Sequence, residues 1–371
     1  MTAKVGKTKI EIKDKKRKSG FWYSFSGILI AFIFVMLITA LIITLSGKSP
    51  AEAFAYMFQG AFSTKYNIGE TIIKTCPLLL CSLGLCICYR AGLTSIGAEG
   101  QMAMGGLMAT IGGVYFTFLP RAILIPVCIL LGVLGGALWA GIAGYLKAKW
   151  GISEVINTIM LNYIAAYIVA YMCSGPIQEP PYTFIQSSQL QESAFFSKLI
   201  QGTRIHSGVI FAFVSIFVVY FLLWKSPLGY QMRAVGLNQS AARTSGINVK
   251  KNLILSMSLS GAFCGLAGAV EIMGLHHRLM PGFTSNLGFD AMAIALLGGL
   301  HPAGATIASV FFGALRAGAT TMQHAMQIPT ALVDIIQGLV VIFVLTQSVF
   351  SKFVIKITTS KRKVLSVGRE E

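Results

Sequence analysis

Acidic and amide side chains inside apolar stretches are the residues of this sequence best placed to do chemistry. The segment SIGAEGQM, residues 95–102, sets Glu99 and Gln101 among closely spaced glycines. Glycines loosen a membrane helix, and a broken helix presents backbone groups and polar side chains to a cavity instead of to lipid. We therefore predict that Glu99 and Gln101 line a substrate pathway. A glycine-rich packing surface with Glu99 as a helix cap is the alternative.

A second acid, Asp290, follows Phe289 at the start of an apolar stretch that is interrupted by glycines and Pro302. An acid at the mouth of a broken segment can accept hydrogen bonds from hydroxyl groups, and an aromatic ring beside it can stack on a flat ring. We predict that both residues belong to the same pathway. A helix amino-terminal cap for Asp290 and lipid-facing packing for Phe289 remain equally open.

Polar residues also follow one face of the segment 153–167. Glu154, Thr158 and Asn162 are spaced by four, so they share one face of a helix. Such a stripe faces a water-filled path or another helix. We predict that Thr158 and Asn162 are pathway residues, with hydrogen bonding between helices as the alternative.

Charged groups elsewhere in apolar runs have a structural explanation. An ionisable side chain at the bilayer centre costs about 2.5 to 3.5 kcal/mol, so it needs a partner there. We expect Arg316 to pair with Glu271 or Asp334. The seven cysteines, almost all in apolar runs, are interpreted as small buried side chains, in neither a disulfide nor a metal site.

Several motifs of catalysis are missing from the sequence. It contains no phosphate-binding loop, no HExxH, no GxSxG and no aspartate-rich metal cluster. We therefore predict no catalytic residue, no metal and no cofactor. If ATP drives this protein, another polypeptide must bind it.

The elements that must position these residues are membrane helices. Of the 371 residues, 55% are hydrophobic and 12% are charged, about half the roughly 25% charge usual in soluble domains. This composition excludes a soluble enzyme, a disordered tail and a fibrous repeat. A hydrocarbon core about 30 Å thick needs roughly 20 apolar residues per helix, so the predicted fold is an all-α polytopic membrane protein with about ten transmembrane helices. The predicted spans are 21–47, 75–89, 100–120, 122–146, 155–178, 205–224, 252–270, 291–315, 317–331 and a last one ending near residue 350.

The positive charge is distributed as expected for a membrane protein and not for a nucleic-acid-binding one. The net charge of +17 is clustered at the ends of apolar runs. With alternating spans, 22 basic residues fall on the inner side and 6 on the outer side, which places both termini in the cytoplasm. The predicted contact is therefore membrane lipid, with no nucleic acid. The predicted domains are a basic cytoplasmic tail 1–20, a transmembrane domain 21–350 and a cytoplasmic tail 351–371.

Two long hydrophilic loops connect the predicted spans. The outer loop, 174–207, contains three prolines, so we expect it to be irregular and to meet a partner outside the cell. The inner loop, 225–251, has five basic residues and no acid, with a helix-compatible stretch at Ser240–Thr244. We predict that the inner loop is a docking surface.

A weak internal repeat links the two halves. GLTSIGAE, residues 92–99, and GFTSNLGFD, residues 282–290, share a glycine, an apolar residue, Thr-Ser, a second glycine and an acid. The predicted topology puts the first at the inner face and the second at the outer face, as an inverted repeat requires. Such a repeat would mark a pseudo-twofold axis through a central pathway; a chance match among small residues is the alternative.

Four segments, in order, carry a resemblance to a known family: SIGAEGQM (95–102), SEVINTIMLNYIA (153–165), GYQMRAVGLNQSAARTSGI (229–247) and GFDAMAIALLGGLHPAG (288–304). They resemble the permease subunits of ATP-binding cassette (ABC) importers, in the branch for nucleosides, which is related to simple-sugar and branched-chain amino acid permeases. The resemblance covers about residues 21–350. Ribose-type permeases usually show Asp-Leu-Ser-Val-Gly where this chain has Ser-Ile-Gly-Ala-Glu, which favours nucleosides, although Ala98 stands where Val or Ile is common.

The resemblance implies a cell-membrane protein that imports a small-molecule substrate by alternating access. It also implies three kinds of partner: cytoplasmic ABC ATPase subunits, a second permease that is homologous or identical, and an extracytoplasmic substrate-binding lipoprotein. The residues that match the family's ATPase coupling segment are Arg233, Gly236, Asn238, Ala241, Ala242 and Gly246. Three alternatives stay open: a pentose permease, an ion-coupled secondary carrier that uses Glu99 or Asp290, and a membrane-embedded enzyme.

Overall fold

The structure, a computed structural model, describes residues 2–5, 8–14, 36–41, 43–44, 47–327, 338–339 and 353–359. The chain divides into two units, Gly47–Val333 and a second one formed by Met1–Ser46 with Asp334–Glu371. Most of the first predicted span and most of the last lie outside the described residues. Within them, the short stretches that are described at 36–41, 43–44 and 338–339 are helical.

Eleven α-helices form the described part of the larger unit, and a π-helical turn, Ile272–His276, extends the ninth. The helices are α1 Pro50–Phe62, α2 Lys65–Arg90, α3 Ala98–Tyr115, α4 Arg121–Trp150, α5 Glu154–Cys173, α6 Gly208–Lys225, α7 Pro227–Leu237, α8 Gln239–Thr244, α9 Val249–Glu271, α10 Leu287–Leu297 and α11 Pro302–Met326. A single 3₁₀ turn, Glu192–Ala194, lies in the long segment between α5 and α6. Among the described residues, five helices are long and apolar enough to cross a membrane: α2, α4, α5, α6 and α9 with its π-helical turn. The larger unit is therefore a multi-pass helical membrane structure.

The smaller unit contains three antiparallel strands: β1 Thr2–Val5, β2 Thr8–Asp14 and β3 Phe353–Thr359, in the order β1-β2-β3. In the register of β2 with β3, Ile10 lies opposite Ile357. Apolar and charged residues alternate along β2 in the sequence, a period typical of strands. The all-α prediction thus describes the membrane unit, whereas the terminal segments form a small sheet.

The predicted boundary between the spans 291–315 and 317–331 is wrong. α10 ends at Leu297, and α11 runs without a break from Pro302 through Arg316. The chain turns at Gly299, which has a φ of +64°, a conformation that glycine adopts without steric cost. Pro302 then starts α11, because proline is tolerated in a first helical turn. Arg316, whose charge separates the two predicted spans, is paired inside the bundle, as expected, but with Asp290.

The predicted inner loop is mostly helical. α7 and α8 occupy 227–244, and α8 corresponds to the helix-compatible stretch found in the sequence. The prediction that the cysteines are buried is confirmed for all seven side chains.

Glycine faces bring α4 and α9 into backbone contact. A Cβ atom built on Gly136 would overlap the carbonyl oxygen of Gly261, and one built on Gly265 would overlap that of Gly132. In each helix the two glycines are four residues apart, the spacing that lets membrane helices approach closely. These contacts hold α4 and α9 close together next to the polar residues of the candidate site.

We expect Gly136→Ala to lower the melting temperature of the purified protein by several degrees, because overpacking typically costs about 1 to 3 kcal/mol. Gly141→Ala on the same helix is the matched control, since a Cβ there would meet only the hydroxyl of Ser258, which can rotate away. Thermal unfolding followed by size-exclusion chromatography measures both. Equal losses in the two variants would contradict the close contact.

Candidate functional site

The non-helical segment between α2 and α3 follows the polar face of α5. The backbone N–H of Thr94 donates to the Glu154 carboxylate at 3.4 Å, and the N–H of Ile96 donates to the Thr158 hydroxyl at 3.2 Å. Glu154 is itself held by an ion pair with Lys147 at 2.7 Å. Backbone groups in a membrane must find partners within the protein. The α5 stripe provides them for this segment.

Asn162 continues the same pattern one turn further along α5. Its amide oxygen accepts from the N–H of Gly100 at 2.9 Å, and its amide nitrogen donates to the carbonyl of Ile96 at 2.9 Å. The contacts of Thr158 and Asn162 are thus hydrogen bonds between elements, the alternative drawn from the sequence. Beside them, the buried Gln101 has no hydrogen-bond partner for its Oε1 among the residues that the structure describes.

Glu99 lies in the first turn of α3 but caps a different helix, α10. Its carboxylate accepts hydrogen bonds from the hydroxyl of Thr284 and from the backbone N–H groups of Asn286, at 3.1 Å, and Gly288, at 2.8 Å. The first N–H groups of a helix have no partner within it, and negative charge is favourable there. The helix cap considered for Glu99 from the sequence is therefore observed, in a neighbouring helix.

The starts of α3 and α10 touch at this point. A Cβ atom built on Gly288 would overlap the backbone nitrogen of Glu99. The two segments with similar sequence, 92–99 and 282–290, therefore meet in space. Their first residues also share a conformation, with φ of +77° at Gly92 and +75° at Gly282.

Arg316, on α11, binds the segment that leads into α10. Its guanidinium forms an ion pair with Asp290, with Nη2 to Oδ2 at 2.9 Å and Nε to Oδ2 at 3.0 Å, and donates to the carbonyl of Ser285 at 2.9 Å. The predicted pairing of Arg316 with Glu271 is wrong, and Asp334 lies outside the described residues. The segment 284–288, which ends the connection to α10 and includes the first two residues of that helix, is here called the central loop. Glu99 and Arg316 fix it in place.

A cavity of about 170 Å³ lies against the central loop. Its walls come from one face of α2, the π-helical turn after α9, α11 and the loop before α6. The polar and aromatic residues that line it are Glu70, Lys74, Arg204, Glu271, His276, Phe283, Ser285 and Arg316. The lining includes none of the six residues predicted for the pathway, but Glu99 and Asp290 bind parts of the wall through Thr284, Ser285 and Arg316.

The aromatic residue that lines the cavity is Phe283 and not the predicted Phe289. The side chain of Phe289 is 39% exposed, whereas Phe283 is 6% exposed and lines the cavity. Sequence reasoning missed Phe283, Glu70 and Arg204. The available signals were Lys74 and Arg316, two cations directly next to predicted spans.

Opposite charges alternate around the cavity. Arg204 binds Glu70 through two hydrogen bonds, Nε to Oε1 at 2.7 Å and Nη2 to Oε2 at 2.5 Å. These bonds raise the pKa of Arg204. His276 Nε2 lies 3.5 Å from Glu271 Oε1. Arg316 is bound to Asp290. The three lysine and arginine side chains of the wall, Lys74, Arg204 and Arg316, are thus matched by three carboxylates, Glu70, Glu271 and Asp290, which suits an uncharged polar ligand.

Two helix irregularities border the cavity. Pro77 lies inside α2, and because proline has no N–H, it cannot donate to the carbonyl of Ile73 one turn earlier. Both residues line the cavity. On the other wall is the π-helical turn, a form that is rare and concentrated at functional sites.

A second surface lies at the opposite ends of α2 and α9, where α7 and α8 pack. A Cβ atom built on Gly236 would overlap the carbonyl oxygen of Arg90, and Ala242 is buried in a cluster with Leu93 and Val249. The side chain of Asn238 begins α8 by accepting from the N–H groups of the next turn. Gly236, Asn238 and Ala242 therefore build this platform, which we call the α7–α8 platform.

Other residues of the α7–α8 platform face outward. Ala241, Arg243 and Gly246 are exposed, and Leu237 is 89% exposed. Arg233 instead lies over the ring of Trp224, at 5.9 Å from its centre, with its Nε buried. Of the six residues predicted to contact an ATPase, three are exposed, namely Asn238, Ala241 and Gly246.

Membrane-spanning helices, a polar cavity at one end and a basic platform at the other define a membrane permease, a subunit that passes solutes across the bilayer. The chain belongs to the family described as branched-chain amino acid transport system / permease component, whose model matches residues 67–345. The resemblance predicted from the four sequence segments is thereby confirmed. A permease of this family is an integral membrane protein and not itself an enzyme.

Individual relatives are similar over nearly their whole length. The chain is 37% identical to the guanosine ABC transporter permease protein NupP of Bacillus subtilis, covering 85% of this chain and 91% of that protein. It is 32% identical to the nucleoside ABC transporter permease protein NupB of Lactococcus lactis, covering 92% and 94%. It is 30% identical to the glucose ABC transporter permease protein TsgB13 of Haloferax volcanii, covering 94% of each.

Proposed function

We propose that this chain is the transmembrane permease subunit of an ATP-driven ABC importer for nucleosides. The observation that carries the substrate class is the similarity to the guanosine and nucleoside permeases of two bacteria. The similarity to a glucose permease supports a sugar importer as the second candidate. An ion-coupled carrier has no such support.

The geometry suggests how such a subunit works. α2 and α9 each carry cavity residues at one end and contact the α7–α8 platform at the other. Lys74 and Arg90 on α2 are about 24 Å apart at 1.5 Å per residue. An ATPase that moves the platform would tilt these two helices and so open the cavity to one side of the membrane or the other.

We assign the predicted pathway residues different tasks within this mechanism. Glu99 and Asp290 position the central loop, which forms one wall of the cavity. Thr158 and Asn162 hold the segment that leads to Glu99. Gln101 offers an unpartnered buried acceptor to a passing solute. Phe289 stays a predicted residue of the substrate pathway.

The predicted topology completes this proposal, with ten spans, both termini in the cytoplasm and the tails 1–20 and 351–371 flanking the domain 21–350. It puts the α7–α8 platform inside and the cavity toward the outside. The matched φ angles of Gly92 and Gly282, and the meeting of α3 with α10, support an inverted repeat.

The proposed assembly contains two ABC ATPase subunits, a second permease and a substrate-binding lipoprotein. Bacillus subtilis has a second relative, the guanosine permease NupQ, and Lactococcus lactis has NupC, which supports a pair of different permeases. On the loop between α5 and α6, Tyr182, Phe184 and Ile185 are exposed. The Gln178 amide donates to the carbonyls of Tyr182 and Phe184 and so orders this tip, which we propose as the lipoprotein contact.

Competition of uptake tests the substrate class. In cells that carry this importer as the sole route, unlabelled nucleosides should suppress the uptake of labelled guanosine, whereas ribose and glucose in the same excess should not. Suppression by glucose or ribose, or a failure of nucleosides to compete, would replace the nucleoside proposal with the sugar alternative.

A further inference from the structure

We propose that the cavity beside the central loop is the membrane binding site for the intact, uncharged nucleoside, with Phe283 as the stacking face for the base and Glu271 as the acceptor for ribose hydroxyls. This inference rests on the proposed function and assigns a site to it. Nucleotides are excluded from this site.

The charge balance of the wall selects against phosphate. A phosphate group needs cations that are free to pair with it, arginine through bidentate bonds or lysine as a point charge. Lys74 shares the wall with Glu70 and Glu271, whose charges oppose its own. Here Arg204 already forms two hydrogen bonds with Glu70, and Arg316 is bound to Asp290. A phosphate group would have to displace these carboxylates and would then lie beside them. A neutral ligand needs no cation as a partner, so the Arg204–Glu70 pair, which must part to admit it, can form again around it, and the Arg316–Asp290 pair is kept.

Phe283 offers a fixed aromatic face. The ring is 6% exposed, and a Cβ atom built on Gly106 would lie 2.5 Å from its Cζ, so the tip of the ring rests on that glycine. His276 packs edge-on, with ring centres 6.3 Å apart. A ring held in place loses little freedom when a base stacks on it, and base stacking on an aromatic side chain is tolerant of which base is present.

The opposite wall offers hydrogen-bond acceptors. Glu271 is 7% exposed and lines the cavity at the start of the π-helical turn. The carbonyl of Ile73, which Pro77 cannot bond, is on the facing helix. Ribose presents hydroxyl donors, and hydroxyl bonds to a carboxylate are stronger than those between neutral groups.

The cavity in this structure is smaller than a whole nucleoside. An engineered cavity of about 150 Å³ in another protein holds one benzene ring, so 170 Å³ suits one ring system and not the base and ribose together. Arg204 has 50% of its side chain exposed and closes the cavity by binding Glu70. Entry of a whole nucleoside therefore requires this ion pair to part.

Binding of tritiated guanosine to the membrane complex of permease and ATPase subunits in lipid nanodiscs tests the site; the substrate-binding lipoprotein is left out, because it would bind guanosine itself. Unlabelled nucleosides should compete, and guanosine 5′-monophosphate should not. Phe283→Leu and Glu271→Gln should each raise the Kd about tenfold or more. The matched controls are Phe118→Leu and Glu52→Gln, at exposed positions away from the cavity, and they should leave the Kd unchanged.

Two results would overturn the inference while leaving the proposed function standing: equal competition by the monophosphate, or wild-type Kd values in folded Phe283→Leu and Glu271→Gln importers that still take up guanosine. If the wild-type importer takes up no nucleoside at all, the proposed function and this site fail together.

Discussion

Glu99→Ala should reduce nucleoside uptake by roughly a hundredfold while the permease still assembles with its partners. Glu99 accepts three hydrogen bonds that fix the start of α10 and the central loop. Hydrogen bonds to a charged group contribute about 1.5 to 3 kcal/mol each, and about 1.4 kcal/mol corresponds to a factor of ten in an equilibrium. Without them the cavity wall loses its anchor, whereas the glycine contacts of α4 with α9 remain.

Initial rates of guanosine uptake, together with co-purification of the ATPase subunits, measure this effect. Asp290→Ala should behave similarly, because it leaves the half-buried Arg316 without its carboxylate. Glu99→Gln should be intermediate, since it retains one acceptor oxygen. Glu52→Gln, at an exposed position on α1, is the control. Wild-type uptake by both Glu99→Ala and Asp290→Ala would remove these residues from the site.

Arg243→Glu should uncouple ATP hydrolysis from transport, with uptake at least tenfold lower and ATPase activity retained. Arg243 is exposed on the α7–α8 platform near Leu237, whose apolar side chain is 89% exposed. In the proposed contact Arg243 faces an acidic group of the ATPase. A glutamate there would place two negative charges together, which costs several kcal/mol. Arg243 is a cleaner test position than Arg233, because Arg233→Glu would also remove the packing of Arg233 on Trp224.

Uptake and ATPase activity are measured in the same proteoliposomes. Lys65→Glu reverses an exposed charge at the opposite end of α2 and should leave the ratio of solute to ATP unchanged. Capture of substrate by the lipoprotein should be normal in both variants. An unchanged ratio in Arg243→Glu would remove this surface from the ATPase contact.

The sequence identified the residues whose type is unusual for their surroundings. Glu99 is an acid among glycines in an apolar run, and Asp290 starts a similar run, so both are visible without a structure. The partners could not be predicted, because Glu99 binds residues 185 to 189 positions away along the chain. The spacing of Glu154, Thr158 and Asn162 predicted a shared face, but only the fold shows that this face binds backbone.

The cavity was beyond sequence reasoning for the same physical reason. Glu70 and Arg204 lie in ordinary polar stretches near the ends of helices, and Phe283 is one of 24 phenylalanines. Each becomes distinctive through contacts between distant elements. The break between α10 and α11 was misplaced because a paired internal charge, Arg316, looks like a membrane boundary in a linear sequence.

The central claim is that this chain forms a solute path without a power source of its own. The most direct measurement is the accumulation of labelled guanosine in vesicles that contain the permease alone, with imposed proton or sodium gradients, compared with vesicles that contain the complete importer and ATP. Accumulation should occur only in the complete, ATP-supplied vesicles. Concentration of guanosine by the permease alone would contradict the account.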